Sequence, residues 1–459
     1  GRVYNLIIFG TILLSVAGLL VQPHPLRLAA IKFTIYMIES LNLEKSISRE
    51  ADKDVRLMKS DTLKNIDKSL KKYKEEYKYT PLFRKTENKI QLDGSELGQD
   101  YDLEKIKSLI PKNDDYKIIV IDGLYQEELS SIPKGLLINK YSDLSEDMKA
   151  EFQKAYQGFD DSENDVFSSI NTINHLECLT IYIEKDVNIK NKISIFNIIQ
   201  STHSSYFRKS ILIKKSSHVS FSEEFIGSTK EISFSNSVAE IFLHENSKLD
   251  YFSCQDFKNN FHFNSINVFQ KKDSISNFHT YSFSGATIRN NLNISLKDKN
   301  CYANMYGFYA IKNNSHIDNH TTVDHMDENS ISNEHYKGIV EGGSRGVFNG
   351  KIYVRQKAQK TNAFQSNNNI LLSDNAKVNT KPQLEIWADD VKCSHGCTVG
   401  QLDEDALFYL MSRGIPKKEA TSILLSAFSS DITEKIEDKN LRKHYEELIL
   451  TQLGSLNYE

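Results

Sequence analysis

The sequence predicts a mainly β protein whose core is a solenoid of short strands, flanked by helical regions at both ends. Between residues 179 and 387, short runs carry an apolar side chain at every second position, and polar clusters separate them. This alternation is the pattern of half-buried strands. On both sides of that stretch, apolar residues recur three or four positions apart, which is typical of amphipathic helices.

Composition limits the classes of protein and partner. The chain has 459 residues, 26% of them charged and 39% hydrophobic, which is ordinary for a globular protein. Its 57 basic and 61 acidic residues leave a net charge of -4, so no global field attracts nucleic acid. Five cysteines, three of them scattered at Cys178, Cys254 and Cys301, form no disulfide framework, which favours a reducing compartment.

The amino terminus, residues 1–26, is an apolar segment of uncertain role. Residues 3–21 contain no charged side chain and are nearly long enough to cross a bilayer. They are interpreted either as a membrane or signal element, or as a buried helix or an atypical start of the chain. No A-x-A-like cleavage site supports the signal peptide.

Residues 27–150 are predicted to form an amino-terminal helical region and a connector. The helical pattern runs from residue 27 to residue 78 and stops at Pro81. The connector contains KIIVIDG at residues 117–123, a continuous apolar run that suits a buried strand.

Residues 160–400 are predicted to form the solenoid. Its runs include SILIKK at residues 210–215 and EISFSNS at residues 231–237, in which Ile232 and Phe234 should share a face. A sandwich or barrel is less suitable, because the runs continue over some two hundred residues without a helical break. With 20 Gly and 7 Pro in the chain, the turns must depend largely on Asn, Ser, Asp and Lys.

Residues 401–459 are predicted to form a helical domain. Apolar residues recur at helical spacing from residue 403, Gly414 to Pro416 stop the first helix, and two further helices follow. These helices can cap the end of the solenoid, or their exposed apolar side chains can serve as a docking surface.

One segment contains candidate metal ligands. Cys393, His395 and Cys397 alternate within five residues, so an extended strand places all three side chains on one face. Thiolate and imidazole are the ligands that iron-sulfur chemistry uses. Because three ligands do not complete a four-ligand site, any metal here needs further ligands from a partner or solvent. The alternative is structural: buried cysteines beside a hydrogen-bonded histidine.

The run QLEIWADDVKCSHGCTVGQLDEDALFYLMSRGI, near-continuous over residues 383–415, closely resembles the signature of the SufD branch of the SufB/SufD family of iron-sulfur cluster assembly proteins. Residues 324–340 and 354–386 are similar to other segments of that family. EEYKYT at residues 75–80 resembles a further element, with Tyr77 where Trp is usual. The CSHG element distinguishes this chain from SufB, and a missing Walker A motif distinguishes it from the ATPase SufC.

The resemblance implies a right-handed parallel β-helix that pairs with SufB and binds the SufC ATPase through its carboxy-terminal helices. It implies no catalytic site within this chain. His395 and Cys393 are implied to lie at the SufB interface, where iron or a cluster is held transiently and no cofactor is tightly bound by this chain alone. Cys397 stands where Ala is common, so we expect a small core residue there, with a ligand role as the alternative.

The resemblance implies SufC docking on the carboxy-terminal helices, with residues 407–415 and the helix that follows them as the docking element. The expected contact residues share this short stretch and are Leu407, Phe408, Tyr409, Arg413, Gly414 and Ile415.

Two other functional classes remain as alternatives. A secreted β-helix enzyme such as a polysaccharide lyase follows if the apolar amino terminus is a signal peptide, and a structural solenoid adhesin is the third hypothesis. The expected location is the cytoplasm, with the plastid stroma, or a membrane contacted through residues 3–21, as alternatives. No nucleic-acid partner is expected.

Overall fold

The computed structural model describes residues 43–48, 50, 52–80, 103–111, 114–156, 165–200, 204–227, 232–257 and 259–456. The predicted apolar segment at residues 1–26 therefore lies outside the described residues. No helix among the described residues is long and apolar enough to cross a membrane.

Helices occupy both ends of the described chain. The amino-terminal ones are α1 (Leu43–Ser48), α2 (Lys53–Glu76), α3 (Leu103–Leu109), α4 (Glu146–Tyr156) and α5 (Val166–Asn174), with 3₁₀ turns at Glu127–Leu129 and Tyr141–Asp143. The carboxy-terminal ones are α6 (Glu404–Ser412), α7 (Lys417–Thr433) and α8 (Lys439–Gly454). Their bounds confirm the three predicted carboxy-terminal helices and the stop before residue 417.

The part of the chain that the structure describes contains nineteen strands, of which the first three lie among the amino-terminal helices and the rest lie between the two helical regions. The first are β1 (Tyr116–Ile121), β2 (Leu124–Tyr125), β3 (Leu136–Lys140), β4 (Cys178–Ile183), β5 (Ile193–Ile199), β6 (Ser204–Ile213), β7 (His218–Gly227), β8 (Ser233–Leu243), β9 (Lys248–Asp256) and β10 (Asn260–Gln270). The others are β11 (Ile275–Ser284), β12 (Thr287–Leu296), β13 (Tyr302–Ile311), β14 (His316–His325), β15 (Ile331–Val340), β16 (Arg345–Val354), β17 (Asn362–Leu371), β18 (Lys377–Ile386) and β19 (Lys392–Gly400).

The strands form a parallel β-solenoid, as predicted. From β4 onward, successive strands alternate between two sheets, so that each coil gives one strand to each sheet. The odd-numbered sheet ends with β19 and the even-numbered sheet ends with β18. Phe261 pairs with Thr287 and Arg345 with Lys377, so one coil takes between 26 and 32 residues. The right-handed sense of the coil stays a prediction.

The sheets begin within the predicted connector. The KIIVIDG run forms β1, whose Ile118 and Ile119 are fully buried, and β1 pairs in parallel with β5. β3 pairs antiparallel with β4. The apolar run therefore supplies the first strand of the odd-numbered sheet, with the same inward packing as the later coils.

Two details of the strand prediction need correction. EISFSNS and the following AEIFLH form one strand, β8, instead of two runs. Ile232 precedes that strand and is exposed, whereas Phe234 is buried, so the two side chains do not share a face. Alternation fixes facing only within a strand, and Ile232 lies outside β8.

The turns confirm the predicted use of Asn, Ser, Asp and Lys. Positive backbone φ angles recur where one strand passes to the next, and the non-glycine residues that adopt them between β4 and β17 are Asp186, Ser216, Asn246, Asp273, Asn300, Asn313, Asn314, Asn329 and Lys360. Asn and Asp tolerate this left-handed conformation better than other L-residues. Gly342 takes the same conformation in the turn before β16.

The motif at residues 75–80 fastens α2 to the outer face of the even-numbered sheet. The Arg289 guanidinium lies 4.5 Å from the centre of the Tyr77 ring, and the Tyr77 hydroxyl donates to Asp165 at 2.6 Å. Lys351 on β16 pairs with Glu76 at 3.0 Å. These contacts are buried or half-buried, so they fix the helix against the solenoid more firmly than surface ion pairs would.

The carboxy-terminal helices lie on the side of the solenoid. The prediction had allowed them to cap its end. Tyr445 of α8 stacks on Phe252 and Tyr281, with ring centres 5.3 and 4.4 Å apart. Lys337 of β15 donates to the Phe428 carbonyl at 2.9 Å and pairs with Asp431. α7 and α8 therefore cover the outer face of the odd-numbered sheet, because the apolar residues there need burial. The last coil lies beyond their cover.

Candidate functional site

The three candidate ligands lie on β19, the last strand of the odd-numbered sheet. Cys393 pairs in register with Ala363 of β17, His395 with Gln365 and Cys397 with Asn367. Those three β17 residues are buried inside the solenoid. Because parallel in-register strands keep side-chain orientation, Cys393, His395 and Cys397 share the inward face, as the prediction of a common face requires.

No further coil covers β18 and β19 in the described part of the chain. Every residue of both strands is half-buried or exposed, in contrast to the buried interior of the preceding coils. Trp387 and Val399 are among the exposed large apolar side chains. The inward face of the solenoid is therefore open at this end.

Cys393 is the least exposed of the three candidates. It packs beside a small apolar cluster that includes Ala363, Ile352 and Val354. Burial raises the pKa of the Cys393 thiol, so the thiol is neutral at neutral pH and becomes a ligand only when a metal or cation favours the thiolate.

His395 and Cys397 are exposed. The prediction that Cys397 is a small core residue is therefore wrong for this chain by itself, because the coil that would bury it is absent. In the part of the chain that the structure describes, no group of three or more His, Cys, Asp or Glu side chains is placed to hold a metal ion. The metal role of His395, Cys393 and Cys397 stays a prediction, and ligands from outside the chain remain necessary for it.

Two buried polar residues continue the line of His395 into the interior. In the odd-numbered sheet, His395 lies in register with Gln365, and Gln365 lies in register with Glu334 of β15. Gln365 donates from Nε2 to Glu334 Oε2 at 2.7 Å, and the Thr321 hydroxyl donates to Glu334 Oε1. Burial raises the pKa of Glu334 to about 7.

Glu334 and Gln365 are not among the site residues predicted from the sequence. The signal was present in β15, ISNEHYKGIV, where Glu334 occupies the same alternate positions as the inward-facing Tyr336 and Val340. A carboxyl group at an inward position of a strand is unusual enough to mark a candidate site.

A second open cavity lies on the outer side of the same strands. It has a volume of about 580 Å³ and is lined by Tyr306, His335, Phe364, Ser394 and Lys435, among others. Phe364 is exposed there. The open end of the solenoid thus continues around its edge onto a partly apolar outer surface.

The predicted docking residues lie on α6 and the turn after it. Phe408 is 73% exposed and Tyr409 58%, and no residue of α6 is buried. The Arg413 guanidinium lies 5.2 Å from the centre of the Tyr409 ring. Leu407 and Ile415 are half-buried, and Gly414 adopts a φ of +89° that ends the helix.

Residues 196–428 match the SUF system FeS cluster assembly SufBD core domain, and residues 43–195 match the SufBD protein N-terminal region. The chain belongs to the SufBD family of iron-sulfur cluster assembly proteins. The core match ends within α7 and contains all three candidate ligands, so the open end of the solenoid lies inside the family's own core.

The relatives place this SufBD-family chain near SufD. It is 27% identical over 388 residues to the iron-sulfur cluster assembly protein SufD of Escherichia coli, covering 83% of this chain and 87% of that one. It is 28% identical over 342 residues to a SufBD family protein of Synechocystis, covering 71% and 75%. A chloroplastic protein of Arabidopsis thaliana is 29% identical over 338 residues, covering 71% of each. The polysaccharide lyase and the adhesin have no support in these matches.

Replacing Glu334 with Gln should remove one pH-dependent contribution to the free energy of unfolding. Burial raises the pKa of Glu334 from 4.5 to about 7, so the fold favours the protonated carboxyl. The associated stability is fully present below pH 4.5 and is lost as the pH rises through 7. Relative to the variant, the wild type should lose up to about 3 kcal/mol between these limits. Urea midpoints at pH 5 and pH 8 measure the difference.

The exposed Glu385 on β18 provides the control for this comparison. Glu385→Gln should follow the wild-type pH profile. Parallel profiles for wild type and Glu334→Gln would contradict the raised pKa of Glu334.

Proposed function

We propose that this chain is a SufD-type subunit that pairs with a SufB subunit through the open end of its solenoid and binds the SufC ATPase through its carboxy-terminal helices. The observation that carries the proposal is the uncovered last coil, where candidate metal ligands and two strand edges are exposed together. Its role is to receive iron and support cluster assembly, without a catalytic site of its own.

The two strand edges differ in their suitability for pairing. β18 contains Pro382, which has no backbone N–H, and three charged side chains at Lys377, Lys381 and Glu385. Such residues protect an edge from pairing. β19, KCSHGCTVG, has no proline and its only Lys or Arg is at its first position. β19 is therefore the edge to which a partner strand adds most readily.

Pairing at β19 would complete the metal site. The inward face of β19 offers His395, Cys393 and Cys397, and a partner strand or coil stacked on it would supply the missing ligands and exclude water. Neutral imidazole binds iron and releases it on protonation, which suits a transient holder. Iron is thus a substrate of the assembly, and no cofactor is tightly bound by this chain alone.

The aromatic surface of α6 suits a second partner. Phe408 and Tyr409 project from a helix that buries none of its residues, and aromatic side chains with a neighbouring arginine are the usual anchors of protein interfaces. The SufC ATPase is the partner that the SufD-like character of the chain favours. Hydrolysis of ATP by SufC would then act on the solenoid through α7 and α8, which pack on the odd-numbered sheet.

The chemistry of the cysteines supports a reducing compartment. All five cysteines are free thiols, and burial raises the pKa of Cys178 to about 12 and that of Cys301 to about 11. We place the chain in the cytoplasm, with the plastid stroma as the alternative because one relative is named chloroplastic.

A charge on the inward face of β19 should prevent pairing with SufB. Val399→Lys places an ammonium group where the partner would bury it, and the affinity should fall by about 2 kcal/mol or more, roughly 30-fold. Co-purification of the variant with SufB, followed by a titration of the two subunits, measures the loss. Leu57→Lys, which places the same charge at an exposed apolar residue of α2, is the matched control. Unchanged affinity in Val399→Lys would exclude the open end as the SufB interface.

Truncating Phe408 should weaken binding of SufC. Phe408→Ala removes the most exposed aromatic anchor of α6, and such truncations cost about 2 kcal/mol or more at an interface. Calorimetry with purified SufC gives the affinity, and Leu57→Ala on α2, which is also exposed and lies outside the carboxy-terminal helices, is the control. If both variants bind SufC as the wild type does, α6 is not the docking helix.

Removing the imidazole of His395 should lower iron loading without dissociating the complex. His395→Ala keeps the β19 backbone for pairing but deletes the exposed ligand. Anaerobic iron and sulfide analysis of the purified complex should show a large loss of both. Assembly with normal iron content would leave this chain as an architectural partner whose histidine has no role in cluster assembly.

A further inference from the structure

Gln365 lies directly behind His395 and has one unused hydrogen-bonding group. Its side chain is 97% buried, and Oε1 has no hydrogen-bond partner, whereas Nε2 donates to Glu334 Oε2 at 2.7 Å. A buried acceptor without a donor costs about 1–3 kcal/mol. In register, the next inward side chain along the sheet is that of His395.

The amide group of Gln365 is also tightly packed against Gly350, on the opposite wall of the solenoid interior. A Cβ atom at Gly350, across the interior on β16, would lie 1.9 Å from Gln365 Nε2. Glycine at this position therefore makes the space in which the amide lies. Glu334 and the Gly350 side of the interior therefore adjoin the amide, and His395 lies in register on its other side, at the uncovered end of the solenoid.

We propose that Gln365 is a positioning residue for His395: its Oε1 accepts the imidazole N–H, so that the other ring nitrogen faces the partner, and Glu334 determines which end of the amide faces His395. This inference rests on the proposed function, in which His395 is the iron ligand. A neutral imidazole has one N–H and one lone pair, and histidine ligands commonly donate the N–H to a carbonyl or carboxylate behind them.

Glu334 determines the orientation through its charge. When it is ionised, both its oxygens are acceptors, so they hold Gln365 Nε2 and leave Oε1 for His395. When it is protonated, its O–H can donate to Gln365 Oε1, and the amide turns its N–H groups towards His395. The opposite imidazole tautomer is then favoured, because the facing ring nitrogen must accept.

The surroundings of Glu334 contain no competing charge among the described residues that face it. Thr321 and Gln365 donate to it, Tyr336 follows it on the inward face of β15, and Met305 is its register partner on β13. Burial is the main cause of its raised pKa of about 7. The orientation of the amide therefore changes within the neutral pH range.

The test is the tautomer of His395, measured on the full chain by imidazole nitrogen chemical shifts after selective histidine labelling. His395→Gln assigns the signals. In the wild type, one neutral tautomer of His395 should dominate at pH 8, and the ratio of the two neutral tautomers should shift as the pH is lowered through 7. Gln365→Leu should abolish the preference, and Glu334→Gln, which does not titrate, should abolish the pH dependence of this ratio.

Controls separate positioning from general loosening of the coil. Asn367→Leu makes a similar change two positions along the same inward face, in register with Cys397 instead of His395, and it should leave the His395 tautomer unchanged. If Gln365→Leu does not fold, Glu334→Gln decides by itself, since it preserves shape. A wild-type tautomer population in either folded variant, or no pH dependence in the wild type, would overturn the positioning role.

Iron retention in the complex with SufB gives the second readout. Gln365→Leu should weaken retention about 10- to 100-fold, the usual effect of removing a group that orients a metal ligand. The two hypotheses fail separately. If His395→Ala loads iron normally, the proposed ligand role fails. If His395→Ala loads iron poorly but the His395 tautomer is unchanged in Gln365→Leu, only the inference about Gln365 is overturned.

Discussion

The structure depends on the backbone hydrogen bonds that join each coil in register to the one before it. Interior side chains pack on side chains of the neighbouring coils, so each coil is covered on one side by the coil before it and on the other by the coil after it. In the described part of the chain, no further coil covers the last one. This single constraint explains why the inward residues of β17 are buried, whereas His395 and Cys397 in the same columns are exposed.

The helical regions use the sides of the solenoid and leave its carboxy-terminal end free. The motif at residues 75–80 fastens α2 to the even-numbered sheet, and α7 and α8 cover the odd-numbered one. Both contacts bury aromatic rings between helix and sheet, so each has a physical reason to stay in place. A partner at the end can therefore add to the stack without displacing either helical region.

The sequence was sufficient for the class of fold and for the facing of side chains within a strand. Alternation over β19 correctly predicted that Cys393, His395 and Cys397 share a face, and the scarcity of Gly and Pro correctly predicted Asn and Asp in the turns. Alternation cannot say which face is inward, since that depends on the register with β17. Exposure of Cys397 likewise depends on the missing coil, which a local pattern does not contain.

Long-range partners were beyond sequence reasoning for a related reason. Glu334 and Gln365 are register partners, but coil length varies between 26 and 32 residues. A single repeat length applied to the sequence would misplace one partner by several residues. When the register error is an odd number of residues, the side chain would be assigned to the wrong face of the strand. The location of α7 and α8 on the side of the solenoid has the same origin: helical periodicity reveals an apolar stripe but not the surface that covers it.

The open end suits the proposed role, in which the site must both collect and release a metal. A fully enclosed site with four ligands from one chain would hold iron permanently. Ligands on an uncovered coil would bind iron weakly until a second chain supplied the remaining ligands. Covering the end also removes water, which strengthens the electrostatic interactions of the thiol and imidazole groups with the metal. In the proposed complex, any motion that separates the two chains would remove the second chain's ligands and readmit water. Closing the contact would complete the site, and opening it would release the metal.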